Sequence, residues 1–105
     1  MIKLSCYKVT GNSMLPKFYC GDFVLAYRRF HSVFKQGDVV VVDHAQFGKI
    51  IKRIITIENG GTLLLVGDNI AVSTDTFTLG SIQPEQVLGR VIGYVSRPMR
   101  RRINE

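Results

Sequence analysis

Three Gly-Asp pairs, Gly21-Asp22, Gly37-Asp38 and Gly67-Asp68, cut the chain into short pieces. A glycine followed by an aspartate is turn chemistry. Glycine accepts backbone angles that other residues avoid, and the carboxylate can satisfy nearby N–H groups. The first two pairs lead straight into FVLAY and VVVVD. Such runs are too short for helices, and their β-branched side chains suit a pleated surface, so both read as strands. GKIIKRIITIE reads as another strand, and Asn59-Gly60-Gly61 then turns the chain into TLLLV as a hairpin. VLGRVIGYV reads as the last strand, with Gly89 and Gly93 marking a bulge or a close backbone approach. Only LPKFYC, where Pro16 fixes one φ angle, and the PEQ that begins at Pro84 read as short helical turns. The expected fold class is all-β: a small, mostly antiparallel barrel or sandwich of coiled sheets.

The chain has 105 residues, enough for one modest core, so residues 1–105 are expected to form a single domain with a basic tail from about 97 to 105. Apolar residues make up 46%, which supports a packed core rather than a disordered chain. No apolar run approaches the roughly 18 residues of a membrane-spanning helix. The start, MIKLSCYKV, alternates and lacks the apolar centre of a signal peptide. The expected location is cytoplasmic or peripheral to a membrane, with a trimmed membrane anchor as a further alternative. Much of the net charge of +6 sits in Arg97, Arg100, Arg101 and Arg102. These arginines suit either an anionic membrane surface or a solvated tail. No aromatic residues interleave with them as stacking platforms, so no nucleic acid partner is expected. Cys6 and Cys20 stand fourteen apart with no C-x-x-C, and the His and Cys residues lack ligand spacing. They are expected to be reduced, buried thiols, with no metal and no cofactor.

The stretch GNSMLP places Ser13 on a bent segment, where it is either a turn residue bonding its own backbone or a presented nucleophile. The pattern G-x-S-x-G fails because Leu15 occupies the second glycine position, and S-x-x-K fails because Pro16 occupies the lysine position. His31 and His44 lie in polar, turn-like surroundings, RRFHSVF and VVDHAQF, and are expected to face solvent rather than to complete a triad. A lysine is left as the candidate base.

Lysine is a poor base while charged. Its pKa, ordinarily about 10.4, must fall nearly to neutrality, which corresponds to about 4 kcal/mol between its protonation states. Burial among apolar groups can supply an effect of that size. Lys52 is flanked by Ile50, Ile51, Ile54 and Ile55, whereas Lys3, Lys8, Lys17, Lys35 and Lys49 have weaker apolar company or neighbour turns. Strand alternation puts Lys52 on one face with Ile50 and Ile54, and Ile51 with Arg53 on the other. The alternative is an edge position from which the amine snorkels to water.

In order along the chain, VTGNSMLPKFYCGDFVLAY, GDVVVVD, IIKRIITIENGG and VGDNIAVSTDTFTLGSIQPEQVLGRVIGYV resemble the boxes of type I signal peptidases and their mitochondrial inner-membrane relatives. The wider clan includes self-cleaving repressors of the LexA type. The resemblance runs from about Val9 to Val95 and rests on S-M-x-P, G-D, K-R and G-D-N-x-x-x-S-x-D occurring in that order. It implies a coiled-sheet catalytic core of the signal peptidase/LexA type, with Ser13 as nucleophile and Lys52 as general base. It further implies that Ser73 orients the lysine amine, that Asp75 pairs with Arg53, and that Asp68 and Asn69 form a turn in the same box. The Ser13 N–H would stabilise the oxyanion, Val9, Met14 and Ile51 would line shallow pockets beside the scissile bond, and Gly11 would join them in binding the substrate.

The sequence departs from the family pattern in places. Gly11 stands where many bacterial members carry a hydroxyl residue that helps form the oxyanion hole. Thr76 and Phe77 replace a serine and an arginine. Only fourteen residues separate Lys52 from the G-D-N box, too few for the inserted second domain of some bacterial members. The short chain is similar to soluble maturation proteases for nickel superoxide dismutase. The implied function is a serine endopeptidase that removes a leader or propeptide from a protein bound extended in a cleft. The alternatives are a self-cleaving LexA-type regulator, or a non-catalytic β module that docks peptides or a membrane.

Overall fold

The computed structural model describes residues 2–29, 33–69 and 79–96. Six strands form one antiparallel sheet: β1 Ile2–Lys8, β2 Phe23–Arg29, β3 Val39–His44, β4 Gly48–Ile57, β5 Leu63–Val66 and β6 Val87–Val95. Their order across the sheet is β1-β2-β6-β3-β4-β5, so the last strand is inserted between β2 and β3. A 3₁₀ turn at Pro84–Gln86 precedes it. The all-β, antiparallel expectation holds, as do all the strands read from the turn signals.

The first two Gly-Asp turns are built alike. Asp22 donates its N–H to the Tyr19 carbonyl at 3.0 Å and accepts the Tyr19 N–H on its carboxylate at 3.0 Å. Asp38 does the same with Lys35, at 3.1 and 2.9 Å. The glycine between them takes a φ of 95° in the first turn and 92° in the second, where any Cβ would be strained. This local pairing stops each preceding segment and launches a strand.

β3 explains why four valines run in succession. It lies between β6 and β4, and both of its faces are covered. Val40 and Val42 pack with Phe34, Ile54, Leu63, Leu65, Leu79, Ile82 and Val87. Val39 and Val41 pack on the other side with Val9, Met14, Phe18, Val24 and Ala26. A strand with two dry faces needs no polar alternation. Each buried valine contributes on the order of 1.5–3 kcal/mol, so this strand anchors both cores.

Register shifts leave one residue unopposed at three places. Ile92 lies between the pairs Leu25–Gly93 and Ala26–Val91, Leu88 between Val41–Gly89 and Val42–Val87, and Ile55 between Ile54–Leu65 and Thr56–Leu64. Such bulges raise the local twist and coil the sheet. Gly89 is a close approach, as its sequence context suggested. A Cβ there would lie 2.9 Å from the Ala26 Cβ and 3.2 Å from both the N and O of Tyr27. Gly93 has open space around it and instead neighbours the Ile92 bulge.

Two expectations are corrected. Cys6 and Cys20 are free thiols but exposed, not buried. Cys6 faces outward because it shares the register of Ile2 and Leu4 on an outer sheet face, and Cys20 sits in the middle of the Tyr19–Asp22 turn. His44 is buried rather than solvent-facing, at 8% exposure. Its Nδ1 accepts the N–H groups of Gln46 and Phe47 at 3.0 and 3.2 Å, so the ring proton resides on Nε2, which donates to the Leu79 carbonyl at 2.8 Å. The polar neighbours belong to the turn that this imidazole caps. His31 lies outside the described residues.

Candidate active site

Val9 ends the run of β1. Its N–H bonds the Asp22 carbonyl at 2.7 Å, and its own carbonyl accepts from Gly21 at 2.9 Å. The chain then leaves the sheet and returns at Phe18, whose N–H bonds the Met14 carbonyl at 3.0 Å to close a single helical turn. Met14 and Phe18 are buried, at 2% and 1% exposure, and pin this turn to the core. Ser13, immediately before Met14, is left half-buried on the bend.

A second segment holds the same bend from the other side. Asn69 donates its backbone N–H to the Ser13 carbonyl at 2.8 Å and its side-chain Nδ2 to the Asn12 carbonyl at 3.0 Å. Its neighbour Asp68 receives Arg53 through two parallel bonds, Nε to Oδ1 and Nη2 to Oδ2, both 2.8 Å. Arg53 also donates Nη1 to the Gly37 carbonyl at 2.8 Å. The forked bond holds the Asp68 carboxyl below its usual range, with burial opposing and the nearby Arg53 and Lys17 charges assisting. Arg53 is the residue after Lys52 on β4. The contacts therefore run from the strand carrying the lysine through Arg53, Asp68 and Asn69 to the carbonyl of Ser13.

Lys52 is 5% exposed and lies opposite Val40 in the β3–β4 register. Burial pushes its amine below the ordinary lysine range. The amine therefore does not snorkel to water, although Lys52 pairs with β3 alone and β5 joins β4 only from Arg53 onward. Ser13 and Lys52 line one cleft of about 80 Å³, together with Val9, Met14 and Ile51. Lys8, Thr10, Lys49 and Ile50 complete the lining. Lys49 Nζ stands 5.9 Å from the Tyr7 ring centroid, which ties β4 to β1 across this region. Met14 is at once core and cleft wall. Gly11 does not line the cleft and adopts a φ of 75° at the start of the bend.

Ser73 and Asp75, with Thr76 and Phe77, lie outside the described residues, as do Arg97, Arg100, Arg101 and Arg102. Among the described residues the carboxylate that Arg53 holds is Asp68. Asp68 and Asn69 thus do more than form a turn. The sequence does carry a trace of this: unlike the first two, the Gly67-Asp68 pair leads into no strand-like run, which leaves its carboxylate for another partner. Among the described residues no group of three His, Cys, Asp or Glu side chains converges as a metal site. Nor is any helix there long and apolar enough to cross a membrane.

The Peptidase S24-like family profile matches residues 3–92, a span that takes in Ser13, Lys52 and the whole Arg53–Asp68–Asn69 connection. The chain belongs to the peptidase S24-like family. Membership agrees with the antiparallel β architecture and gives the chain a LexA-like serine peptidase fold. No curated protein matches the chain.

Proposed function

We propose that this S24-like chain is a serine endopeptidase in which Ser13 is the nucleophile and Lys52 the general base, and that it removes a leader or propeptide. The observation that carries the reading is a desolvated amine sharing one small cleft with a serine hydroxyl. Neutral Nζ takes the Ser13 Oγ proton as Oγ attacks the peptide carbonyl carbon. The Ser13 N–H receives the developing oxyanion. Collapse breaks the C–N bond, the amine product leaves with the proton from Lys52, and an acyl-enzyme remains. Water then attacks with Lys52 again as base, releasing the acid and restoring both groups. Ser73 would hold the amine in line, and Asp75 would support the same loop.

The substrate enters extended. β5 pairs with β4 only from Arg53 to Ile57, so among the described residues the Gly48–Lys52 stretch has a strand on one side only. A peptide added there would make main-chain bonds and drop alternate side chains toward Val9, Met14 and Ile51. The cleft volume favours small side chains beside the scissile bond. The test compares the wild type with Ser13→Ala and Lys52→Ala on leader-type peptides. Both variants should lose hydrolysis, and wild-type kcat/KM should rise with pH as the amine deprotonates. Equal hydrolysis by all three proteins refutes the pair, and no hydrolysis by any favours the non-catalytic docking module.

Membership in a family with LexA-like members favours self-cleavage as the second reading. Intact-mass measurement after incubation at raised pH separates the two. A chain cut at one internal bond in the wild type and uncut in Ser13→Ala supports the regulator.

A further inference from the structure

The half of the sheet formed by β1, β2 and β6 has one face on the core and one on the outside, and the outside face is apolar. Val24 and Ala26 of β2 are buried, whereas the intervening Phe23 and Leu25 are exposed. The register sets Ile2, Leu4 and Cys6 of β1 beside Arg29, Tyr27 and Leu25, and sets Phe23 beside Val95 of β6. Ile2, Leu4, Phe23, Leu25, Ile92 and Val95 are between 38% and 64% exposed. A solvated antiparallel face ordinarily alternates to polar residues, and a contiguous apolar patch marks a docking surface.

Charge identifies the occupant. β1, β2 and β6 together carry five Lys or Arg and no Asp or Glu, although the chain has eight acids. Arg28 is used internally, bonding the Pro84 and Val87 carbonyls. Arg29 and Arg90 line a groove of about 520 Å³ with Tyr27, Val33, Phe34 and Ile92. Guanidinium groups beside an aromatic and aliphatic groove fit a phosphate attached to an acyl chain. We propose that this face docks on an anionic phospholipid surface, with the apolar side chains in the interface and Arg29 and Arg90 on lipid phosphates. A second copy of the chain is disfavoured. Stacking two such faces brings together strands that carry five Lys or Arg and no acid, at a net charge of +6 per chain. Nucleic acid is disfavoured because aliphatic side chains, not stacking aromatics, dominate the patch. The inference stands apart from the roles of Ser13 and Lys52.

Flotation of the full chain with vesicles tests it, using phosphatidylcholine alone and phosphatidylcholine with phosphatidylglycerol in equal parts. The expected result is binding to the anionic vesicles, weakened by salt. Partition should fall about fivefold for each of Arg29→Gln and Arg90→Gln, equivalent to about 1 kcal/mol per charge. Leu4→Gln should lower it about tenfold through lost apolar insertion. Circular dichroism confirms that these surface variants fold. Absence of flotation overturns the proposal, as does flotation unchanged in all three variants or lost only when Arg97, Arg100, Arg101 and Arg102 are changed to Gln. A dimer in sedimentation that Leu4→Gln converts to a monomer, or an oligonucleotide that displaces no bound vesicle yet binds the face, overturns it in favour of those partners.

Discussion

Lys52→Met isolates the electrostatics on which the proposed chemistry depends. Methionine keeps the unbranched apolar stem and discards the ionisable nitrogen. In the native chain that nitrogen belongs to a side chain 5% exposed, lying opposite Val40 and between Ile50 and Ile54 along the strand. Replacing a buried ion by a packed apolar group stabilises proteins by about 1–4 kcal/mol, and the open cleft beside Lys52 argues for the lower half of that range at neutral pH. The gain must depend on pH in one direction only. Burial lowers the amine below its ordinary value of 10.5 in the folded chain, whereas the unfolded chain keeps that value. Below the lowered value both states are protonated, and the native protein bears the whole desolvation cost. As pH rises from there toward 10.5, the folded state releases its proton first, the unfolded state binds more protons, and native stability climbs by at most about 1.4 kcal/mol per pH step. Above 10.5 both states are neutral and the electrostatic part of the difference is gone.

The assay is urea unfolding of Ser13→Ala and Ser13→Ala with Lys52→Met, at pH values from about 6 to 11, chosen so that self-digestion cannot intrude. Every other titrating group is common to both proteins, so the difference reports Lys52. The double variant should be the more stable at low pH, and its advantage should shrink as pH rises. A difference that stays flat across the series, or that grows with pH, would show that the amine is as basic as a solvated lysine. The general-base role would then have no physical footing.

Asp68→Asn should cost about 1 kcal/mol at neutral pH, since the forked bond to Arg53 is only partly buried, and less as pH falls below the ordinary carboxylate range; urea unfolding at pH 7 and pH 3 measures both. Asn69→Ala removes one bond to the Asn12 carbonyl and should destabilise by under about 1 kcal/mol. Because that bond holds the bend carrying Ser13, kcat should fall tenfold or more with KM little changed in steady-state kinetics. Gly89→Ala should cost about 1–3 kcal/mol by thermal unfolding, because the new methyl meets the Tyr27 backbone, which cannot yield; adding Ala26→Gly should restore part of the loss.

The strands were legible because their causes are local. Gly21-Asp22 and Gly37-Asp38 close turns with their own carboxylates, and the runs that follow have residues that no neighbouring turn disturbs. The order of the strands was not legible. β6 lies between β2 and β3 because Gly89 lets its backbone meet Tyr27, and because Val87 joins the core of Val40 and Val42. Those are contacts between segments far apart along the chain, and no period or turn signal encodes them. The exposed cysteine of β1 was misread for a related reason. Alternation shows that Cys6 shares a face with Leu4, but only the packed structure shows that this apolar face is the outer one. His44 was misread because its polar neighbours form the turn, and a ring that accepts two N–H groups of that turn is thereby drawn inside.

For the site, the legible part was a conflict: an ammonium in a row of isoleucines. A conflict between a side chain and its strand is visible in sequence, whereas its resolution depends on partners remote along the chain. Lys52 and Arg53 resolve it together. As consecutive strand residues they leave the backbone in opposite directions. One is buried and loses charge stability; the other reaches Asp68 and through Asn69 fixes the Ser13 carbonyl. The strand thus carries the amine and also sets where the hydroxyl stands. If the pair acts chemically, its alignment depends on β4 as a single rigid reference rather than on two independently placed loops.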